Sequence, residues 1–340
     1  MKLIEDILQY RSVSVAGMAK NVGKTVCLNF ILRHLPCDGR RFAVTSIGLD
    51  GESRDQVTGT HKPEITIRAG MYYVTTETHF RQCAPASEIL DISERQTALG
   101  RLVFARALVS GKVMLSGPGD TATLRRCLDR LQQLGVNTTL VDGALSRKSF
   151  SAPTVTDALV LATGAALTPS VPELVHRTKF VYDLIALPEA PEKWRSELLA
   201  WQGDNAAFND DATRIVDLGR SAAAVRKAGG KGLEAERNVF ISGAVTDSCV
   251  AGVFGASGAQ DRALVCRDFT KFFVDPMRFY SAQRAGGRFM VLDKPRLIAV
   301  CVNPTSPTGY RLHSDELSQA ISAKIPVPVY DLVQYEKKIS

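Results

Sequence analysis

No run of apolar residues in this chain approaches the roughly 18 that a helical membrane span needs, so no membrane partner is expected. Nor does any cysteine fall in a C-x-x-C pair: the seven, at 27, 37, 83, 127, 249, 266 and 301, stand apart, as do the five histidines. An odd, dispersed set reads as reduced thiols, some of them buried, rather than a disulfide framework or a zinc site. The first residues, Met1-Lys2-Leu3-Ile4-Glu5-Asp6, carry acid early and lack an apolar signal core, which points to the cytoplasm. Internal repeats and low-complexity tracts are missing too. The net charge of +7 is spread along the chain without a recognition-helix or RNA-binding signature, so a solvated basic surface is expected and nucleic acid is rejected as the main ligand.

What is there is an ordinary globular balance: 340 residues, 45% hydrophobic and 23% charged, enough for one large or two medium domains. Residues 1–10 read as a short amphipathic helix. Ser12–Ala16 reads as a buried strand, 24–35 as a helix and 41–47 as a second strand, the βαβ opening of a parallel sheet. Within 62–118, 65–67 and 71–74 read as a hairpin about Arg68-Ala69-Gly70, and 102–107 with 113–116 flank a turn at Ser110-Gly111-Lys112. A helix at 121–134 leads to strands at 138–142 and 158–162, followed by a helix running through 174–180. Beyond 186 the pattern loosens, with Pro188, Pro191 and Ala228–Gly232 as connections. Trp194, Leu198 and Trp201 form a helical stripe that reads as core. Strands are expected again at 239–242, 263–267, 289–292 and 297–302. The expected fold is α/β: one domain over 1–186, its mostly parallel sheet flanked by helices and carrying inserted hairpins. Residues 187–340 are a C-terminal α/β part that either extends the sheet or forms a smaller domain.

The chemistry concentrates in Gly17-Met18-Ala19-Lys20-Asn21-Val22-Gly23-Lys24-Thr25-Val26. Five residues separate Gly17 from Gly23, one more than the usual Walker A spacing, yet a strand precedes the loop and a helix follows it. Glycine lets backbone approach phosphate, and successive N–H groups with the helix N-terminus favour an anion. The loop therefore reads as a site for ATP, with Lys24 on the β- and γ-phosphates and the Thr25 hydroxyl on Mg²⁺. Lys20 has a phosphate or cross-subunit role to offer, the latter in a homodimer. Asp142 closes a short apolar strand and is the first candidate for the metal, through a water; a turn before Gly143 is the plain alternative. Asp50, with Glu52 beside it, is the second metal candidate, again in competition with turn chemistry. Arg147 or Lys148, in the loop Ser146–Ser149, would neutralise transition-state charge, unless the loop is merely solvated. Asn303-Pro304 ends the last strong strand, where a base-recognition loop or an ordinary turn would sit.

The loop resembles that of the dethiobiotin synthetase branch of P-loop proteins in its spacing, in the ending Val22-Gly23-Lys24-Thr25-Val26 and in an acid-glycine pair like Asp142-Gly143. It has Met18-Ala19-Lys20 where that branch commonly shows Thr-Asp-Thr. A wider resemblance covers most of the first 185 residues. Gly17–Thr25, Thr45–Glu52, Val141–Ser149, Ser151–Asp157 and Ala162–Leu167 are similar to the P-loop subunits of reactivating factors for lysine 5,6-aminomutase. That resemblance implies an ATP-dependent, chaperone-like helper that restores a stalled adenosylcobalamin-dependent aminomutase, working with a second, MutS-like subunit. The chain has no Asp-x-His-x-x-Gly cobalamin-ligating motif, so the helper would act on the mutase itself. The alternative is an ATP-dependent ligase of the dethiobiotin synthetase type that activates a small carboxylate; a nucleotide switch without turnover is the third.

Overall fold

The computed structural model describes residues 1–48, 64–144, 155–221, 223–225, 236–255 and 262–339. The chain forms two compact units: Met1–Lys179 together with Pro295–Ser340, and Phe180–Lys294. Up to residue 185 the order is α1 (Lys2–Ile7), β1 (Ser12–Gly17), α2 (Lys24–His34), β2 (Phe42–Ser46), β3 (Ile65–Ile67), β4 (Tyr72–Thr76), α3 (Glu77–Gln82), β5 (Ser87–Thr97), β6 (Gly100–Ala107), β7 (Gly111–Val113), α4 (Thr121–Gln133), β8 (Thr138–Ala144), β9 (Ala158–Gly164) and α5 (Val171–Ile185). The second unit continues with α6 (Glu192–Ala200), β10 (Asn205–Phe208), β11 (Ile215–Gly219), β12 (Asn238–Ile241), β13 (Val245–Thr246), α7 (Asp247–Phe254), β14 (Ala263–Cys266), β15 (Phe272–Phe273), α8 (Pro276–Arg284) and β16 (Arg288–Val291). The chain then returns to the first unit with β17 (Arg296–Asn303), α9 (Ser314–Ser322), β18 (Val329–Tyr330) and α10 (Leu332–Ile339).

Among the described residues the first unit holds a nine-stranded sheet in the order β18-β17-β9-β1-β8-β2-β4-β6-β5. The strands from β18 to β4 run parallel, while β6 and β5 are antiparallel additions at one edge. β1, β2, β4 and β9 are buried along their whole length, as the continuous apolar runs of covered parallel strands require. One face packs under α1 and α2, with Leu28, Ile31 and Phe30 against Val13, Val15, Val44 and Val160. The other takes Cys127 and Leu131 of α4 against Ala43, Val74 and Phe104. No helix of the described residues is long and apolar enough to cross a membrane.

The second unit has its own five-stranded sheet, β11-β10-β12-β14-β16, in which β12, β14 and β16 are parallel and β10 is antiparallel to both neighbours. Trp194 and Leu198 are core residues beside Phe208 and Phe240, and Trp201 packs against them.

Three sequence expectations change here. The 65–67/71–74 hairpin does not form: β3 pairs with β7, whereas β4 lies parallel to β2. The pairing expected across Ser110-Gly111-Lys112 is replaced by a β5–β6 hairpin. Tyr72–Thr76 is buried on both faces, which a ribbon cannot provide and a place inside the sheet can. In place of one division at 186, the chain leaves the first unit and re-enters it, because the apolar run Leu297–Val302 completes the first sheet beside β9.

Candidate functional site

β1 stands between β8 and β9, parallel to both, so the chain leaving Gly17 emerges at the carboxyl edge in the middle of the sheet. Open α/β sheets bind ligands at that edge. Met18 N still donates to Ala162 O at 2.9 Å, holding the loop's start to β9. Val22 is 1% exposed and anchors the loop's middle. Two residues then adopt left-handed backbone, Asn21 at φ 61° and Gly23 at φ 91°. Asparagine tolerates that region, and glycine enters it freely. A Cβ on Gly23 would also stand 2.7 Å from Asn303 Cβ, so both conformation and space demand glycine there.

Gly23 is the N-cap of α2, and no side chain caps that end. The first turn of α2 carries no acid. Its N–H groups and the positive end of the helix dipole are therefore left to water or an anion.

Lys24, first in α2, reaches across to β8: its Nζ lies 2.7 Å from Asp142 Oδ1, with side chains 25% and 16% exposed. The Oδ1 atom is itself buried and takes no hydrogen bond of ordinary angle, so the contact is an ion pair by distance only. The Asp142 backbone is fixed by register against Val15 and Ser46, and its carbonyl accepts from Ile47 N at 3.1 Å. An ammonium and a mostly buried carboxylate thus meet beside a loop of donors. Among the described residues no group of three or more His, Cys, Asp or Glu side chains could hold a metal on its own.

The structure brings together Gly17–Val26 and Asp142. It adds Asn303, which ends β17 in register with Gly164. Its side chain touches the Gly23 position, and its Oδ1 accepts from Thr305 N at 3.1 Å in a local turn. Asp50, Glu52 and the loop with Arg147 and Lys148 lie outside the described residues.

A polar cluster at the same edge escaped the sequence reading. Ser116 Oγ meets His79 Nδ1 at 2.8 Å and Thr76 Oγ1 at 2.7 Å, and it accepts from Thr76 N at 3.3 Å. The segment continues across the end of β2, where Gly117 N donates to Gly48 O at 3.0 Å and Gly48 N to Pro118 O at 2.9 Å. A Cβ on Gly117 would fall 1.6 Å from Ser46 O, so this crossing needs glycine. Burial depresses the His79 pKa below 6.5, which favours the neutral imidazole. The run Ser116-Gly117-Pro118-Gly119-Asp120 was the available signal, with Asp120 capping α4.

Together, fold and edge define an α/β protein with a large, mostly parallel sheet flanked by helices. Set against protein-family models, curated proteins and solved structures, the chain finds no match.

Proposed function

We propose that the Gly17–Thr25 loop binds the phosphates of ATP with Mg²⁺, and that the chain is the nucleotide-binding subunit of a factor that reactivates an adenosylcobalamin-dependent aminomutase. The observation that carries the nucleotide reading is the Lys24–Asp142 pair beside an uncapped helix N-terminus. The residues fit the ligand: loop and helix N–H groups would take phosphate oxygens, and Lys24 would exchange its carboxylate partner for phosphate charge. Released from Lys24, Asp142 would hold Mg²⁺ through a water, with the Thr25 hydroxyl as a direct ligand. Asp50 and Arg147 keep their proposed roles as second metal contact and charge neutraliser. When bound, ATP with Mg²⁺ supplies a cleavable phosphoanhydride; the chain's own residues position it and balance its charge.

The mutase and the MutS-like second subunit rest on the resemblance of residues 1–185. Such a helper works only if its ATP and ADP states bind the mutase with different affinity. The test uses purified chain, second subunit and inactivated lysine 5,6-aminomutase, with recovery measured with ATP, with ADP and with neither. Recovery dependent on ATP, together with ATPase raised by the protein partners, supports the proposal. Equal recovery in all three, with turnover stimulated by a small carboxylic acid alone, replaces it with the ligase.

A further inference from the structure

The second unit contains a cavity of about 300 Å³ at the carboxyl end of β12, lined by residues of that unit. Its origin is topological. The connection leaving β12 departs toward β14, while on the other side β10 begins and β11 ends, so a crevice opens between them. Asn205, 4% exposed, ties its walls together. Its Nδ2 donates to Gly219 O at 2.9 Å and Arg220 O at 3.1 Å, and its Oδ1 accepts from Ser242 N at 3.1 Å. One buried amide thus holds three chain segments in place, and the cavity is preformed.

Two opposite charges stand at the mouth. Arg220 Nε donates to Asp204 Oδ1 at 2.8 Å, with the side chains 89% and 33% exposed. Exposed pairs of this kind contribute little, so a ligand with matching charges displaces one partner at little cost. Among the described residues Nε is the guanidinium's engaged donor, which leaves a planar fork for a carboxylate. The floor is made by Ile241 and the Cys249 thiol, both buried. Nothing lies within 4 Å of a Cβ position on Gly243, so that wall is open.

The charges choose the ligand class. A simple anion would meet Asp204, and the neighbouring α7 already carries Asp247 in its first turn. A simple cation would meet Arg220. A small molecule bearing both charges meets neither penalty, and the cavity is at the lower end of ligand-site volumes. We infer that this cavity binds a free α-amino acid, its carboxylate on Arg220, its ammonium on Asp204 and its side chain over Ile241 and Cys249. The inference is independent of the nucleotide reading.

Calorimetric titration of the full chain tests it, with L-alanine, L-leucine and L-lysine as probes and with propionate and ethylamine as half-ligands. One amino acid should bind at one site per chain, with each half-ligand weaker by about tenfold or more. Arg220→Ala and Asp204→Asn should each weaken that binding about tenfold or more, whereas Lys24→Ala should leave it unchanged. Both substituted side chains reach solvent, and circular dichroism verifies that the variants fold. The inference is overturned if no probe binds at about 10 mM, if propionate binds as well as the amino acids, or if folded Arg220→Ala and Asp204→Asn bind like the parent.

Discussion

Each unit sends a strand into a helix across the carboxyl edge of its parallel strands, and the two crossings are built from opposite chemistry. Between β1 and α2 the backbone turns left-handed at Asn21 and Gly23, and the helix starts on Lys24 with no acid in its first turn. Between β12 and α7 no positive φ occurs at Gly243, and the helix starts on Asp247. An acid there answers the helix dipole from within the chain; a lysine adds to it. The units differ in overall charge as well: the first holds 27 basic and 20 acidic residues, the second 15 of each. The entire net charge therefore belongs to the unit with the open donor array. The same strand–loop–helix arrangement presents an uncapped, acid-free helix start or one that carries its own acid according to a few residues at the crossing.

Lys24→Ala gives the sharpest way to break that contrast. It should weaken ATP binding by about 100-fold or more, since a charge-assisted contact is removed. A fluorescent ATP analogue titrated with Mg²⁺ measures it, and parental affinity would dissolve the difference between the crossings. Asp142→Asn should keep part of the affinity but lose most hydrolysis and shift the Mg²⁺ dependence; parental turnover would leave Asp142 a strand residue without a part in turnover. Next comes the pair Gly23→Ala and Gly243→Ala. The first meets a positive φ and Asn303 Cβ at 2.7 Å, and should cost about 1–3 kcal/mol in urea unfolding. The second enters open space and should stay within about 0.5 kcal/mol of the parent. Equal costs would mean the first crossing is no tighter than the second.

The first crossing was legible because its signals are local. An apolar strand, a glycine-bounded loop and Lys24-Thr25 lie within 20 residues, and Asp142 is marked by the apolar run before it, although the strand continues past it to Ala144. The nearby region 62–118 was not legible, for physical reasons. Tyr72–Thr76 looks like half of a ribbon until its burial between β2 and β6 is seen. β5, with Glu88, Glu94 and Arg95 exposed at the sheet edge, has neither clean alternation nor an apolar run. The His79–Ser116 contact joins residues 37 positions apart that become neighbours only when β4 takes its place in the sheet. Likewise, Leu297–Val302 read as a strand, but nothing local says that it rejoins β9 after the second unit is complete.

His79 separates the two units by pH. Burial holds its folded pKa below the ordinary 6.5, so the unfolded chain takes the proton first. Well above that value neither state is protonated and the group is silent. As pH falls through 6.5 toward the lowered folded pKa, the unfolded chain binds this proton ahead of the folded one and stability falls progressively. The unfolding midpoint of the parent should therefore drop more between about pH 7.5 and pH 5.5 than that of His79→Gln. The difference should appear in the first unit's transition. An identical pH response in the two proteins would show that His79 takes its proton without resisting the fold.

The smallest effect contrasts the central strands themselves. Ser14 in β1 is fully buried, and its hydroxyl finds no hydrogen-bond partner. Asn238 in β12 is also fully buried with an unpartnered Oδ1, but its Nδ2 donates to Asp210 Oδ1 at 3.0 Å. A lone buried hydroxyl has given up water for nothing, so Ser14→Ala removes a desolvated group and leaves no orphan behind. Stability should be unchanged or rise by up to about 1 kcal/mol, set against a cavity no larger than one oxygen atom. Asn238→Ala removes an orphan oxygen too, yet it strips Asp210 of its donor and opens a larger void, and should cost about 1–3 kcal/mol. Urea unfolding of the two variants reads both signs. If Ser14→Ala costs as much as Asn238→Ala, the β1 hydroxyl has a partner in solution, and the strand feeding the Gly17 loop is satisfied in the same way as its counterpart in the second unit.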